Sequence, residues 1–568
     1  MTTDPALSPD GKLLAYASDR TGEGHLDIYV QQVGGGEPLR LTRGSGDKHE
    51  PAFSPDGTTI AFRSEWQNGA IYVVPALGGQ ATMIAPEGRR PQFSPDGNWI
   101  AYYAGSPFLG TCFTSSNICR IYIAPSVGGA PRQLRSDFAA ALHPVWSPDG
   151  SHLLFLGKPA GGLLVEKGID WWVTPLDSGP ATKTGALEAT RKANLSQADQ
   201  LYPRVLVGPA WQPLGDALVF SARSGDTTNL WRIRISPKTW RIIGTPERLT
   251  SGPTFEQGPS VASSAGEVVR IAFAALSDTT EIWSLPIEPN QGKVTGELKR
   301  LTQDNAADLH PALSPDGGKL VFVSSRSGSQ EIWIRDLRSG ELSALTASRS
   351  AKWRRRFSPD GSKVSFSGNP SWDGYVVASA GGTPEMVSQG VGQLTSWSSD
   401  GKRILCNAID GRVSLLELSS RKKVELLARP GHWLCDALFS PDDQWIAFSD
   451  STPSWRTYVV PFRSEGPIGV SAWIDIMEGH GGNNWSPDGK LIYNISERDG
   501  FRCVWAQRVN PVTKRPLGEP FAVFHSHNAR LSLGTGTDVT FSDVGPDKIV
   551  FNMSERTGNI WMAEWKER

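Results

Sequence analysis

Eight side chains able to carry charge, exchange a proton or ligate a metal stand at one fixed distance from a recurring turn. Asp4, Glu50, Arg90 and His143 each precede the first residue of a Ser-Pro-Asp-Gly turn by four positions. His310 and Arg354 do the same, and Asp436 and Asp538 precede the variants Ser-Pro-Asp-Asp and Ser-Asp-Val-Gly. Gathered at one place, such carboxylates, guanidiniums and imidazoles would make a polar site for a peptide or a small charged ligand. Asp4, Glu50 and His143 could also meet on a metal. No His-x-His or Cys-x-x-Cys spacing supports one, so neither metal nor cofactor is expected. No catalytic residue is assigned, because no nucleophile with its base and no tuned acid–base pair stands at a recognisable spacing.

The elements that must position these residues are written in the repeat itself. Ser-Pro-Asp-Gly occurs seven times, at Ser8, Ser54, Ser94, Ser147, Ser314, Ser358 and Ser486. Weaker copies start at Gln212, Ser263, Ser398, Ser440 and Ser542, which makes twelve units across the chain. Proline presets φ, aspartate tolerates the third position and glycine takes the left-handed one. Each turn leads into a β-rich run such as "KLLAYAS" or "KLVFVSS", then often a Ser-x-Arg-x-Gly turn. A third run carries an aromatic, for example Tyr29, Tyr72, Trp231, Trp283, Trp333 or Trp561, and a fourth often ends in "RLT". Four short antiparallel strands per unit describe a β-propeller blade, whose sheet is buried by stacking on its neighbours.

The expected fold is therefore all-β: two six-bladed β-propellers built from twelve four-stranded repeats, spanning 1–305 and 306–568. The rims of their central channels would carry Asp4, Glu50, Arg90 and His143 in the first ring, and His310, Arg354, Asp436 and Asp538 in the second. His49 and His480 fall one or two positions further out. The twelfth unit stops at its third strand, so one blade should have three strands and an open edge, with the missing strand expected upstream of Met1.

Composition narrows the partners. Lys+Arg total 57 against 58 Asp+Glu, a balance unsuited to nucleic acid or an anionic membrane. No run of about 18 apolar residues spans a bilayer, and the N-terminus lacks the basic and apolar regions of a signal peptide. "KWRRRF", residues 352–357, is the densest basic run. On a regular strand Arg354 and Arg356 would face one way and Arg355 the other, as part of a solvated rim. Of five cysteines, Cys112 and Cys119 flank "FTSSNI" at a spacing that allows a hairpin-closing disulfide, while Cys406, Cys435 and Cys503 lie in expected strands as buried thiols.

The stretch "LSPDGKLLAYASDRTGEGHLDIYVQQVGGGEPLRLT", residues 7–42, resembles the TolB-like, or PD40, propeller repeats. The resemblance implies a bacterial protein-interaction module that takes partners at the channel mouth, in the periplasm. It is also similar to the C-terminal propeller region of bacterial serine/threonine kinases and winged-helix regulators, which implies a sensor or scaffold within a larger signalling protein. Related repeats accompany peptidases and form lyases that act on sugar polymers with a histidine-rich metal centre, which keeps a metal-assisted polysaccharide lyase or hydrolase as the alternative. The sequence has neither the α/β domain of TolB, nor kinase motifs, nor a Gly-x-Ser-x-Gly elbow. The preferred expectation is a non-catalytic module that recognises a protein or peptide, or a small polar ligand.

Overall fold

The computed structural model describes residues 1–568 except 66–68, 106–118, 161–167, 178, 196–208, 214, 226, 265–267, 304–305, 348–351, 369–370, 453–454, 480, 497, 499–501, 527, 529, 534–541 and 567–568. The described chain is almost entirely β-strand, with one short helix at Ala186–Lys192. Nine sheets are four-stranded and antiparallel, and in each the strands follow chain order. A tenth, eleven-stranded sheet collects the remaining strands. No helix among the described residues is long and apolar enough to cross a membrane.

The repeated turn explains why each sheet starts where it does. In the first copy Ser8 Oγ donates to Asp10 Oδ1 (2.7 Å) and accepts the Leu13 N–H (2.9 Å). Asp10 Oδ1 also accepts the Lys12 N–H, and Gly11 sits at φ 67°. The same bonds recur at Ser54, Ser94, Ser358 and Ser440. Serine and aspartate thus saturate the turn's own amides, which is why the motif is turn chemistry.

Second strands are apolar on both faces because other strands cover each face. Ala15, Ile60, Ala61, Ile100, Phe322 and Phe448 have no exposed surface. Their aromatics stack on the third-strand aromatic beside them: Tyr16 on Tyr29, Phe62 on Tyr72, Tyr102 on Tyr122 and Phe366 on Tyr375, with centroids 5.3 to 5.9 Å apart.

Two compact units emerge: Met1–Asp278 with His527–Arg530 and Arg556–Arg568, and Thr279–Ser526 with Leu531–Glu555. The boundary expected at 305/306 falls beside residues 304–305, outside the described ones. Two long strands, Val268–Glu288 and Lys548–Lys566, each contribute one part to each unit. In the first unit the first strands of successive sheets touch in chain order, and Phe255–Ser264 touches Thr2–Leu7, so the series closes on itself.

Candidate functional site

Seven of the eight positions counted back from the turn share one backbone state. Asp4, Glu50, Arg90, His143, His310, Arg354 and Asp436 have φ between 48° and 57°. Asp538 lies outside the described residues. Each of the seven sits at a bulge, where the first strand's pairing with the second skips: between Thr3 and Ala6, His49 and Ala52, Leu142 and Val145, Leu309 and Ala312, Trp353 and Arg356, and Cys435 and Leu438, with Arg90 between Arg89 and Gln92. In five of them proline follows, and proline has no N–H to lose from the ladder. A left-handed residue with a side chain costs about 1–2 kcal/mol, so neighbouring contacts must hold it.

Those contacts run from sheet to sheet. Asp4 Oδ2 accepts the Glu50 N–H (3.3 Å), and Glu50 Oε2 accepts the Arg90 N–H (2.6 Å). In the second unit Asp436 Oδ2 accepts the N–H of Gly482 (3.1 Å), itself at φ 70°. A carboxylate on one bulge thus saturates the amide freed by the next bulge. The side chains add ion pairs: Arg90 Nε lies 3.7 Å from Glu50 Oε1, and His49 Nδ1 lies 3.3 Å from Asp4 Oδ2.

Around this chain in the first unit stands a denser cluster that the repeat count did not mark. Glu65 takes Arg63 bidentately, at 2.7 and 2.6 Å, and lies 3.8 Å from Arg89. His49 Nε2 is 3.8 Å from Asp47. The only sequence signals were the arginine and glutamate in "FRSEW" and the doubled arginine in "GRRP".

The charges fix the protonation states. Burial disfavours the His49 imidazolium, but the Asp4 hydrogen bond and the charges of Asp47, Asp4 and Glu65 outweigh it and raise His49 to about 9. Burial would raise Glu65, yet its bonds to Arg63 bring it down to about 2. Asp4 is likewise lowered against its burial by His49 and Arg90. His143 moves the other way: burial first, then Arg90 and Arg89, hold it well below its usual value, so it is neutral. Its ring lies 4.8 Å from Tyr103, and its buried Nδ1 has no partner. His143 therefore stands apart from the ionic chain of Asp4, Glu50 and Arg90.

In the second unit Arg354 pairs with Asp436 and Arg356 with Asp543, while Arg355 is only 4% exposed and His310 is buried. The basic run is not a solvated rim: acids from other sheets neutralise two of its arginines, and the bulge at Arg354 breaks the regular alternation expected for it.

Among the described residues, three metal-capable groups come together at Glu23, His25 and Asp27. Arg40 already engages Glu23 at 2.9 and 2.7 Å and Asp27 at 3.0 and 2.5 Å, so a cation bound to the protein occupies both carboxylates. Cys119 is buried and disulfide-bonded. Cys112 lies outside the described residues. Cys406, Cys435 and Cys503 are buried free thiols.

Residues 1–108 and 270–415 match the family described as TolB beta propeller domain, PD40. A TolB homolog of Chlorobium chlorochromatii is 36% identical over 148 residues, 26% of this chain and 31% of the relative. An uncharacterized peptidase of Bacillus subtilis is 27% identical over 154 residues, 27% of this chain and 21% of the relative. The chain thus spans under a third of the length of either relative. An oligogalacturonate lyase of Vibrio parahaemolyticus has 14% sequence identity and a TM-score of 0.32, covering 60% of this chain and 90% of the lyase. Over the matched residues the chain is TolB-like, and the four-stranded sheets are those of a TolB-like propeller.

Proposed function

We propose that this protein is a non-catalytic binding module made of two six-bladed TolB-like propellers, and that it recognises a protein or peptide at the rim of the first. Asp4, Glu50, Arg90 and His143 form the recognition surface, with His49 supplying a fixed positive charge. The observation that carries the reading is the sheet-to-sheet series of carboxylate-to-amide bonds from Asp4 to Glu50 to Arg90. Such a series holds charged side chains in place before any partner arrives, so little ordering entropy is lost on association. Alternating acids and bases suit an extended polypeptide, which offers both amides and charged side chains. The second unit, with Arg354 closed onto Asp436, acts as scaffold, in keeping with a sensor part of a larger signalling protein.

A displayed library of random peptides, selected on the wild-type chain, tests this. Enriched peptides should lose affinity for a Glu50→Lys/Arg90→Glu chain that keeps its thermal transition. Peptides that bind both chains equally would remove the rim from the proposal. Turnover of a polysaccharide or peptide by the purified protein, dependent on an added divalent metal, would put the enzyme reading in its place.

A further inference from the structure

Four third strands carry the same short pattern: Asp27-Ile28-Tyr29, Asn229-Leu230-Trp231, Glu281-Ile282-Trp283 and Glu331-Ile332-Trp333. Each is finished by a fourth-strand threonine. The hydroxyls of Thr42, Thr250, Thr302 and Thr346 accept the N–H of Ile28, Leu230, Ile282 and Ile332, at 2.9 to 3.0 Å. Thr42 and Thr346 donate in turn to Asp27 and Glu331.

The residue before each threonine is a leucine: Leu41, Leu249, Leu301 and Leu345. The residue before that is arginine in three of the four, paired directly across from the aromatic: Arg40 with Tyr29, Arg248 with Trp231, Arg300 with Trp283. Arg248 and Arg300 lie 6.0 and 5.5 Å from the indole centroids. Arg-Leu-Thr is therefore a matched closure for an acid-or-amide, aliphatic, aromatic strand. Arginine covers the ring, leucine enters the core and threonine ties the amide.

A fifth copy of the receiving pattern, Asn559-Ile560-Trp561, lies in Lys548–Lys566. In the first unit this strand joins the sheet of Phe255–Ser264 and Val268–Asp278. Arg556 N–H still reaches Arg530, but among the described residues no fourth strand pairs with residues 557–565. Trp561 is 61% exposed, where Tyr29 in the finished sheet is 3% exposed, and Met562 beside it is also exposed.

We propose that residues 557–565 are an acceptor edge for a β-strand donated by a partner protein, and that the donor strand has an Arg-Leu-Thr core. Its threonine would take the Ile560 N–H and its arginine would cover Trp561, completing the sheet by strand addition. The donor is a different protein because all three Arg-Leu-Thr triplets of this chain, at 40–42, 248–250 and 300–302, are already in place, and the edge itself carries none.

The test uses the full chain and a labelled peptide of this protein's own closing strand, Gly-Glu-Pro-Leu-Arg-Leu-Thr-Arg-Gly, read by fluorescence anisotropy and by deuterium exchange. Saturable binding with new protection confined to residues 557–565 is expected. Replacing the peptide's threonine by valine should weaken binding about tenfold, the scale of one hydrogen bond, and so should Trp561→Ala in the chain. Three results would overturn the proposal: protection elsewhere, binding indifferent to the threonine, or an edge already protected before peptide is added. Concentration-dependent dimerisation that protects 557–565 would also overturn it, by making a second copy the occupant.

Discussion

The Glu50 carboxylate accepts the backbone N–H of Arg90 at 2.6 Å while its other oxygen stands 3.7 Å from the same residue's Nε. One side chain therefore secures both the backbone and the charge of the corresponding bulge in the next sheet. Asp4 does the first of these for Glu50. The bulges, each costly alone, support one another around the ring.

Glu50→Ala should lower stability by about 1 kcal/mol, because the Arg90 N–H loses its acceptor and the Arg90 side chain its counter-charge. Glu50→Gln keeps an acceptor oxygen and should lose about half as much. Urea unfolding of the three chains measures both.

Stability should depend on pH through His49. The folded protein holds the imidazole proton up to about pH 9, against an ordinary value of 6.5. The resulting stabilisation is complete below about 6.5 and disappears as pH rises through 9. The stability difference between wild type and His49→Gln should therefore be largest at pH 6 and shrink toward pH 10. A difference constant across that range would show that the ring is neutral when folded.

Thr346→Val should cost about 1–3 kcal/mol, since Ile332 N–H and Glu331 both lose a buried partner. Thr346→Ser keeps the hydroxyl and should recover most of the loss. Thermal denaturation of the pair separates the hydrogen bond from the methyl group.

The three free thiols should resist alkylation in the native protein. Burial pushes Cys406 up to about 12 and Cys435 also well up, so little thiolate forms at neutral pH. Peptide mapping after iodoacetamide should find Cys406, Cys435 and Cys503 unmodified until denaturant is added. Modification of Cys435 under native conditions would show that its strand opens.

Much of this architecture is local and was legible in residues alone. Ser8, Asp10 and Gly11 make their turn with each other's atoms, so the motif identifies itself wherever it occurs. The third-strand aromatics and the Arg-Leu-Thr closures repeat because every sheet meets the same neighbours. Counting back from the turn also reached Asp4, Glu50 and Arg90, since the bulge keeps a constant distance from it. What the count could not reach were partners far apart in sequence, such as the Asp436 that neutralises Arg354, or the Arg89 near Glu65.

The pairing of outer strands was decided only by the tertiary structure. The sixth repeat supplies Val268–Asp278 to the first unit but Thr279–Glu288 to the second, and the twelfth supplies residues up to Glu555 to the second unit and Arg556 onward to the first. By sequence, Glu281-Ile282-Trp283 and Asn559-Ile560-Trp561 are interchangeable third strands. Backbone ladders read no side chains and both strands present the same faces, so the repeat itself cannot say which sheet each one closes. Sequence determined that every sheet needs an outer strand; the path of the chain in three dimensions decided which one it receives.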